Sequence, residues 1–516
     1  MAKTKVENIR RNFLNLATPI HPFLFAIYPI LFLYSNNLEE VYLSQIFGPI
    51  LISLLVTLLT LVFLIFLLKD PHKAALISSL ALIIFFSYGH VFGAIENYKI
   101  AGMVIGRNKF LLPASLILFA VASLVGIRSK WDLPRLTKIV NFLVASLILF
   151  SLTSIGNYAL EHGLKISKTK VQVLAGIPTK VTEDSEKLPD IYYIILDGYA
   201  RASTLKTVHK FDNSEFLNKL KNRGFYVVDK SQSNYSITLD SVTSSLNMRY
   251  LDDIAELPDE VQKREKAIEM LRNNEVSKFL RGKGYTTLNI GTTWGTTREN
   301  PYADAVFASK LRSEFVSILY QTSALMVLDR LFNYEADSIL YGFEKLKEIP
   351  DFSEPTFTFA HIVSPHPPYL FDREGNKRQE NIKELGRATS WYRRDKYVDQ
   401  LIFVNNKVEE AVEVILEKSK TKPIIIIQGD HGTGPVGVST RNPKIEELNE
   451  RMDNLSTYYL PKGGSKILYE TITPVNSFRL IFNYYFGAKF EKLEDKSYFS
   501  SYDKYFLFKP VPPEPN

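Results

Sequence analysis

At 516 residues the chain is long enough for more than one domain, and its lack of cysteine excludes disulfides, thiolate metal sites and a cysteine nucleophile. The formal charge of +7 divides by region: residues 1–158 carry 13 of the 62 Lys+Arg and 6 of the 55 Asp+Glu, which leaves the remainder balanced at 49 against 49. The larger part therefore has no basic excess with which to track a phosphate backbone, no nucleic acid partner is expected, and the excess in the first part calls for a membrane explanation.

Five stretches lack Asp, Glu, Lys and Arg over about the length a bilayer core requires: Phe13 to Tyr34, Pro49 to Leu68, Ala74 to Ile95, Phe110 to Ile127 and Ile139 to Tyr158. Pro19, His21, Pro22 and Pro29 interrupt the first, and the four apolar spans behind it argue against a removable signal peptide. If all five cross, one side of the membrane receives Lys3, Lys5, Arg10, Arg11, Lys69, Lys73, Arg128, Lys130, Arg135 and Lys138. The other side receives Lys99, Arg107 and Lys109. Ten cations against three predict a cytoplasmic N-terminus, and five crossings then put everything after Tyr158 outside the cytoplasm. A span that is instead buried or re-entrant would reverse that sidedness. Among charged and imidazole side chains the spans hold only histidines such as His90, so residues 1–158 read as a five-helix plasma-membrane anchor, not as a transport path.

Residues 159–189 are polar and Lys-rich and end in Leu188-Pro189, which predicts a linker. Ile191 to Leu196 follows as a continuous apolar, aromatic and β-branched run, the pattern of a strand buried on both faces. Similar runs recur at Phe225 to Val228, Tyr285 to Ile290, Thr356 to Ala360 and Pro423 to Ile427. Helical patterns lie between them at Ser214 to Lys221, Glu275 to Arg281 and Asp395 to Lys418. The alternation predicts an α/β domain over residues 190–500, a mostly parallel sheet sandwiched by helices, with chemistry beyond the carboxyl ends of the strands. Residues 501–516 read as a C-terminal tail, Pro-rich and frayed from Val511.

Four places carry chemistry. The first strand runs into Asp197-Gly198, a carboxylate presented at a strand end before a tight turn, which suits a hard cation and equally a turn or helix N-cap. The strand at 423–427 delivers Gly429-Asp430-His431-Gly432, where an acid and an imidazole side by side can converge on one metal. Ser233 to Ser241 offers several hydroxyls ahead of a helical stretch; each can be an N-cap, and one can be a nucleophile favoured by the helix dipole and a cation. After the strand at 356–360 come His361 and His366, either of which could donate to a phosphate oxygen or protonate a leaving group, with His366 the preferred choice.

In series, Leu196-Asp197-Gly198, Thr238-x-Asp240-Ser241, His366-Pro-Pro and Gly429-Asp430-His431-Gly432 resemble the motifs of the alkaline phosphatase/sulfatase superfamily. They are most similar to its membrane-bound branch of lipoteichoic acid synthases and phosphoethanolamine transferases, over residues 190 to about 485, and the five preceding spans match that branch as well. The resemblance implies one divalent metal ion, Mn, Zn or Mg, held by Asp197, Thr238, Asp430 and His431, with His366 at the substrate. It implies a phosphotransferase or phosphodiesterase in which Thr238 takes a phospho-head group from a membrane lipid donor and passes it to an extracytoplasmic glycan or lipid acceptor, or to water. Ser236 and Ser241 compete with Thr238 for the nucleophile's role. A sulfuric or phosphoric ester hydrolase on extracellular glycans, and a catalytically silent glycan-binding or envelope-assembly protein, are the alternatives. The chain departs from the family's sulfatases in having neither Cys nor a Ser-x-Pro-x-Arg pattern, and Asp197 stands where lipoteichoic acid synthases use Glu.

Overall fold

The computed structural model describes residues 18–38, 41–95, 98–100, 103–104, 106–162, 188–309, 313–329, 333–378, 388–435 and 442–512. The chain divides into two compact units, Met1–Ser167 with Arg312–Phe332, and Lys168–Leu311 with Asn333–Asn516. The continuous domain expected over 190–500 is thus interrupted: one segment inside it clusters with the N-terminal helices.

The first unit is a helical bundle of α1 (His21–Ser35), α2 (Ser44–Leu68), α3 (Pro71–Ile95), α4 (Asn108–Arg128) and α5 (Leu133–His162). The last four are long and apolar enough to cross a membrane. Helix α1 has 15 residues, shorter than the expected span from Phe13, whose residues 13–17 lie outside the described ones. Pro22 sits at its first turn, where a missing N–H costs nothing. Ala26, Ile30 and Tyr34 bury α1 inside the bundle, and the His21 backbone N–H donates to Asn141 Oδ1 at 2.9 Å. The other helices turn Leu51, Phe66, Leu118 and Phe142 outward, a surface that suits lipid and not water. The expected linker falls mostly on residues 163–187, outside the described ones.

The second unit is built on seven strands: β1 (Ile191–Leu196), β2 (Tyr226–Val227), β3 (Thr286–Gly291), β4 (Ala305–Ala308), β5 (Thr356–Ile362), β6 (Ile424–Gln428) and β7 (Ser456–Tyr459). Their order is β2-β7-β6-β1-β5-β3-β4. The run β6-β1-β5-β3-β4 is parallel, and only β7 opposes its neighbours. Alternate residues of β1 feed two cores, as the period of a strand requires. Tyr192, Ile194 and Leu196 pack with α6 (Ser214–Asn222), α13 (Tyr334–Glu348) and α14 (Arg394–Lys418). Ile191, Tyr193 and Ile195 pack with α7 (Thr238–Asn247), α8 (Glu260–Arg272), α9 (Glu275–Gly282) and α16 (Pro474–Phe486). Helices on both faces explain why β1, β5 and β6 are buried along their whole length and why β1 and the four isoleucines of β6 read as unbroken apolar runs. Four further helices matter below: α10 (Gly295–Arg298), α15 (Ile445–Met452) and the pair α11 (Glu314–Thr322) and α12 (Met326–Asp329) of the inserted segment.

The C-terminal tail expected from residue 501 is corrected by the structure. Strands β8 (Tyr498–Ser501) and β9 (Lys504–Pro510) pair antiparallel, and Phe506 is buried in one of the two cores. The apolar alternation of Phe499, Phe506 and Phe508 outweighs the prolines that follow it. Residues 513–516 of the expected frayed end lie outside the described ones.

Candidate metal centre

Strand register brings the acids together. Ile195 pairs with Gln428, so Asp197 and Asp430, each two residues further on, leave adjacent parallel strands at the same level. Gly198 adopts φ +70°, a left-handed turn that directs the chain away from the sheet, and its N–H donates to Asp430 Oδ1 at 2.9 Å. A side chain at Gly429 would meet the Tyr199 carbonyl at 2.4 Å, so glycine there is a condition of the two loops meeting.

Ligand atoms of Asp197, Asp430 and His431 all lie within 4.8 Å of one another. Asp197 Oδ1 and Asp430 Oδ2 are buried and have no hydrogen-bond partner among the described residues. His431 donates its Nδ1–H to the Gly432 carbonyl at 2.8 Å, which leaves the lone pair on Nε2 facing the acids, 3.3 Å from Asp430 Oδ2 and 3.7 Å from Asp197 Oδ1. Thr238, the first residue of α7, is half-buried, and its hydroxyl reaches that same Nε2 at 3.3 Å. Two carboxylates with unsatisfied oxygens, a neutral imidazole and a hydroxyl make a donor set suited to a divalent cation.

Electrostatics agree with that set. Burial, reinforced by Asp197, pushes Asp430 up to about 7. Burial opposes ionisation of Asp197 too, but His366, His361 and His431 outweigh it and hold the acid below the usual carboxylate range. Burial, with Arg451 adding to it, keeps His431 well below its ordinary value, and burial lowers His366.

Of the competing hydroxyls, Ser236 Oγ donates to the Ser500 carbonyl at 3.1 Å and Ser241 Oγ to the Asp430 carbonyl at 2.6 Å. Both tie backbone segments together, whereas Thr238 faces the cluster. His366 stands at the edge of the group, its ring centroid 6.2 Å from that of His431 and packed against the Trp391 edge at 4.9 Å. Its Nδ1–H donates to the Pro367 carbonyl at 2.6 Å, so Nε2 carries a lone pair. The buried Gln400 side chain holds this loop by donating to the carbonyls of Pro365 and His366. The other histidine of that stretch, His361, lies 3.4 Å from Asp197 Oδ2, and Thr297 Oγ1 of α10 contacts its Nδ1 at 2.7 Å. It lies beside one oxygen of Asp197, while the other, Oδ1, has no partner among the described residues.

Arg451, in α15, had no signal in the sequence. Its guanidinium is fully buried, donates Nε–H to the Ser236 carbonyl at 2.7 Å, places Nη2 3.0 Å from His431 Nε2 and lies over Trp391 at 5.5 Å. Nη1–H donates to the Gly434 carbonyl at 3.4 Å, and among the described residues the side chain makes no ion pair with a carboxylate, so a buried positive charge lies beside the cluster among neutral partners. Only a contact between α15 and the loop after β6 could have revealed it, and local pattern does not carry that information.

The Sulfatase family model matches residues 189–478, more than half of the chain. The zinc complex of the C-terminal periplasmic domain of EptC from Escherichia coli is similar at 10% identity and TM-score 0.40, covering 61% of this chain and 90% of that one. The soluble domain of lipooligosaccharide phosphoethanolamine transferase A from Neisseria meningitidis is similar at 11% identity and TM-score 0.35, over 58% and 88%. The putative sulfatase yidJ from Bacteroides fragilis is similar at 14% identity and TM-score 0.39, over 64% and 84%. The comparison with curated proteins gave no match. With the family model spanning all four motifs and the strands that present them, the chain belongs to the Sulfatase family.

Proposed function

We propose that this protein is a membrane-anchored, metal-dependent phosphotransferase that moves a phospholipid-derived head group, through a covalent phospho-threonine at Thr238, to an extracytoplasmic glycan or lipid acceptor. The observation that carries the reading is the Thr238 hydroxyl, 3.3 Å from His431 Nε2 and beside two carboxylates that each keep one buried oxygen without a partner among the described residues. A cation bound by Asp197, Thr238, Asp430 and His431 would supply positive charge that favours the alkoxide of Thr238 and neutralises the transferred phosphoryl group. The chain's own residues do the rest.

Thr238 Oγ1 forms a bond to phosphorus as the bond from phosphorus to diacylglycerol oxygen breaks. His366 Nε2, with its free lone pair, takes the threonine proton and returns it to the departing oxygen. The acceptor hydroxyl then attacks phosphorus as the bond to Thr238 Oγ1 breaks, its proton passing through His366 Nε2 to the departing threonine oxygen, and water in its place would make the protein a phosphodiesterase. Arg451 faces the transferred group as a fixed donor for its non-bridging oxygens, while His361 keeps Asp197 oriented. In the bundle, Lys69, Lys73, Arg128, Lys130, Arg135 and Lys138 fall in or beside the α2–α3 and α4–α5 turns, which supports a cytoplasmic face there and a catalytic unit on the opposite side.

Intact mass spectrometry of the purified full chain after incubation with membrane lipids tests this reading. An added phospho-head group is expected on the native protein and not on Thr238→Ala. The same adduct on Thr238→Ala would move the nucleophile elsewhere, and no adduct on either protein would remove the covalent step.

A further inference from the structure

The chain passes from the α/β unit into the bundle at residue 312 and returns at Asn333. Helices α11 and α12 fill this segment, and their apolar residues recur on one side. Phe315 and Leu319, one helical turn apart, are buried with Ile30 and Tyr34 of α1, Leu38 and Val41 of the following turn, and Ile46 of α2. Met326 of α12 packs with Tyr88 and Phe92 of α3 and reaches Leu111 and Leu112 of α4. The contact extends to the backbone: the Ala324 N–H donates to the Phe85 carbonyl at 2.8 Å. A Cβ on Gly89 of α3 would lie 1.9 Å from the Gln321 carbonyl oxygen and 2.7 Å from Thr322 Cα, so two backbones meet where no side chain fits.

All of these partners lie at one end of the bundle, formed by the last turns of α1, α3 and α5 and the first turns of α2 and α4. Helix α11, with nine residues, rises about 13 Å, far short of the ~30 Å of a bilayer core. It does not cross. Leu328, 49% exposed on α12, remains outside the protein contact, where an interfacial position would give it lipid.

We propose that residues 313–329 are a second membrane attachment: an in-plane helical hairpin, inserted between β4 and α13, that docks on the end of the bundle at the lipid interface and anchors the α/β unit independently of the chain connection through residues 163–187. Membrane retention is measured without turnover, so this proposal stands or fails apart from the catalytic one.

A specific protease site placed within residues 163–187 of the full-length, membrane-embedded protein separates the two attachments. After cleavage and a high-salt wash, fragment 188–516 is expected to sediment with the membranes. Phe315→Asp with Leu319→Asp should raise the soluble fraction by about tenfold. Gly89→Leu should do the same while leaving the fragment's own sequence unaltered, which removes misfolding of the fragment as an explanation. Release of the fragment from the unaltered bundle, or its full retention in the Gly89→Leu background, overturns the proposal.

Discussion

The bundle and the α/β unit place the same apolar side chains in opposite settings. Every residue of β1 is buried, whereas in α2 Leu51 is 69% and Phe66 82% exposed. Within the sheet, apolar contact with other side chains is the source of stability. On the bundle's outer face the same residue types make sense only where lipid replaces water. Polar groups divide in a parallel way: the His21 backbone and Asn141 meet one another in the bundle, while Asp197 and Asp430 stand side by side with open oxygens. A buried acid pair without a counter-charge is costly, so its presence at a strand end is a better pointer to a ligand than any exposed charge.

The contrast can be broken or sharpened by experiment. The largest effect is expected at the open oxygens: Asp430→Asn should abolish stoichiometric metal and lower turnover by about 10³-fold or more, as read by elemental analysis and assay of the purified protein. Full metal content in that variant would make the acid pair structural. Next comes packing. Ile194→Ala should destabilise the α/β unit by about 2–5 kcal/mol in thermal denaturation, while Leu51→Ala should cost the bundle in detergent less than about 1 kcal/mol. Equal losses would end the distinction between the two settings.

Arg451→Lys keeps the charge and removes the fork; kcat/KM should fall about 10²-fold with metal content unchanged, and loss of metal instead would assign Arg451 to holding His431. The smallest effect is in pH. Because burial raises Asp430 to about 7, the folded metal-free site keeps that carboxyl protonated and neutral below this value, and a cation must displace the proton. Metal affinity measured by titration calorimetry should therefore drop about tenfold for each unit below about pH 7 and level off above it. An affinity independent of pH down to about 5 would place the proton elsewhere.

Much of the site was legible because of where the acids sit. Asp197 and the Asp430-His431 pair end apolar runs that could only be central strands, and a strand's carboxyl end in a parallel sheet is where ligands bind. Thr238 was harder to single out from Ser236 and Ser241, since three nearby hydroxyls look alike until two are seen bonded to backbone carbonyls. The position of His361 beside Asp197 and the role of Arg451 were hidden for another reason. Each depends on partners in other elements, Thr297 and Asp197 for one, His431 and Trp391 for the other. The edge strand β4 and the inner strand β7 are four residues each, too short for a periodic signal.

By its amino-acid order alone this chain specifies an apolar helical anchor, a parallel α/β sheet and the acids and imidazole at its carboxyl ends. Hydropathy over a span and burial along a strand are local properties written in consecutive residues. Tertiary structure decided that residues 312–332 join the bundle, that the last strands pair as a hairpin, that Arg451 faces His431, and that Thr238 alone of its neighbours turns to the acids. Those outcomes depend on contacts between segments that may be 200 residues or more apart, as Asp197 and Asp430 are, and their free energies come from packing and desolvation that no short window of sequence contains.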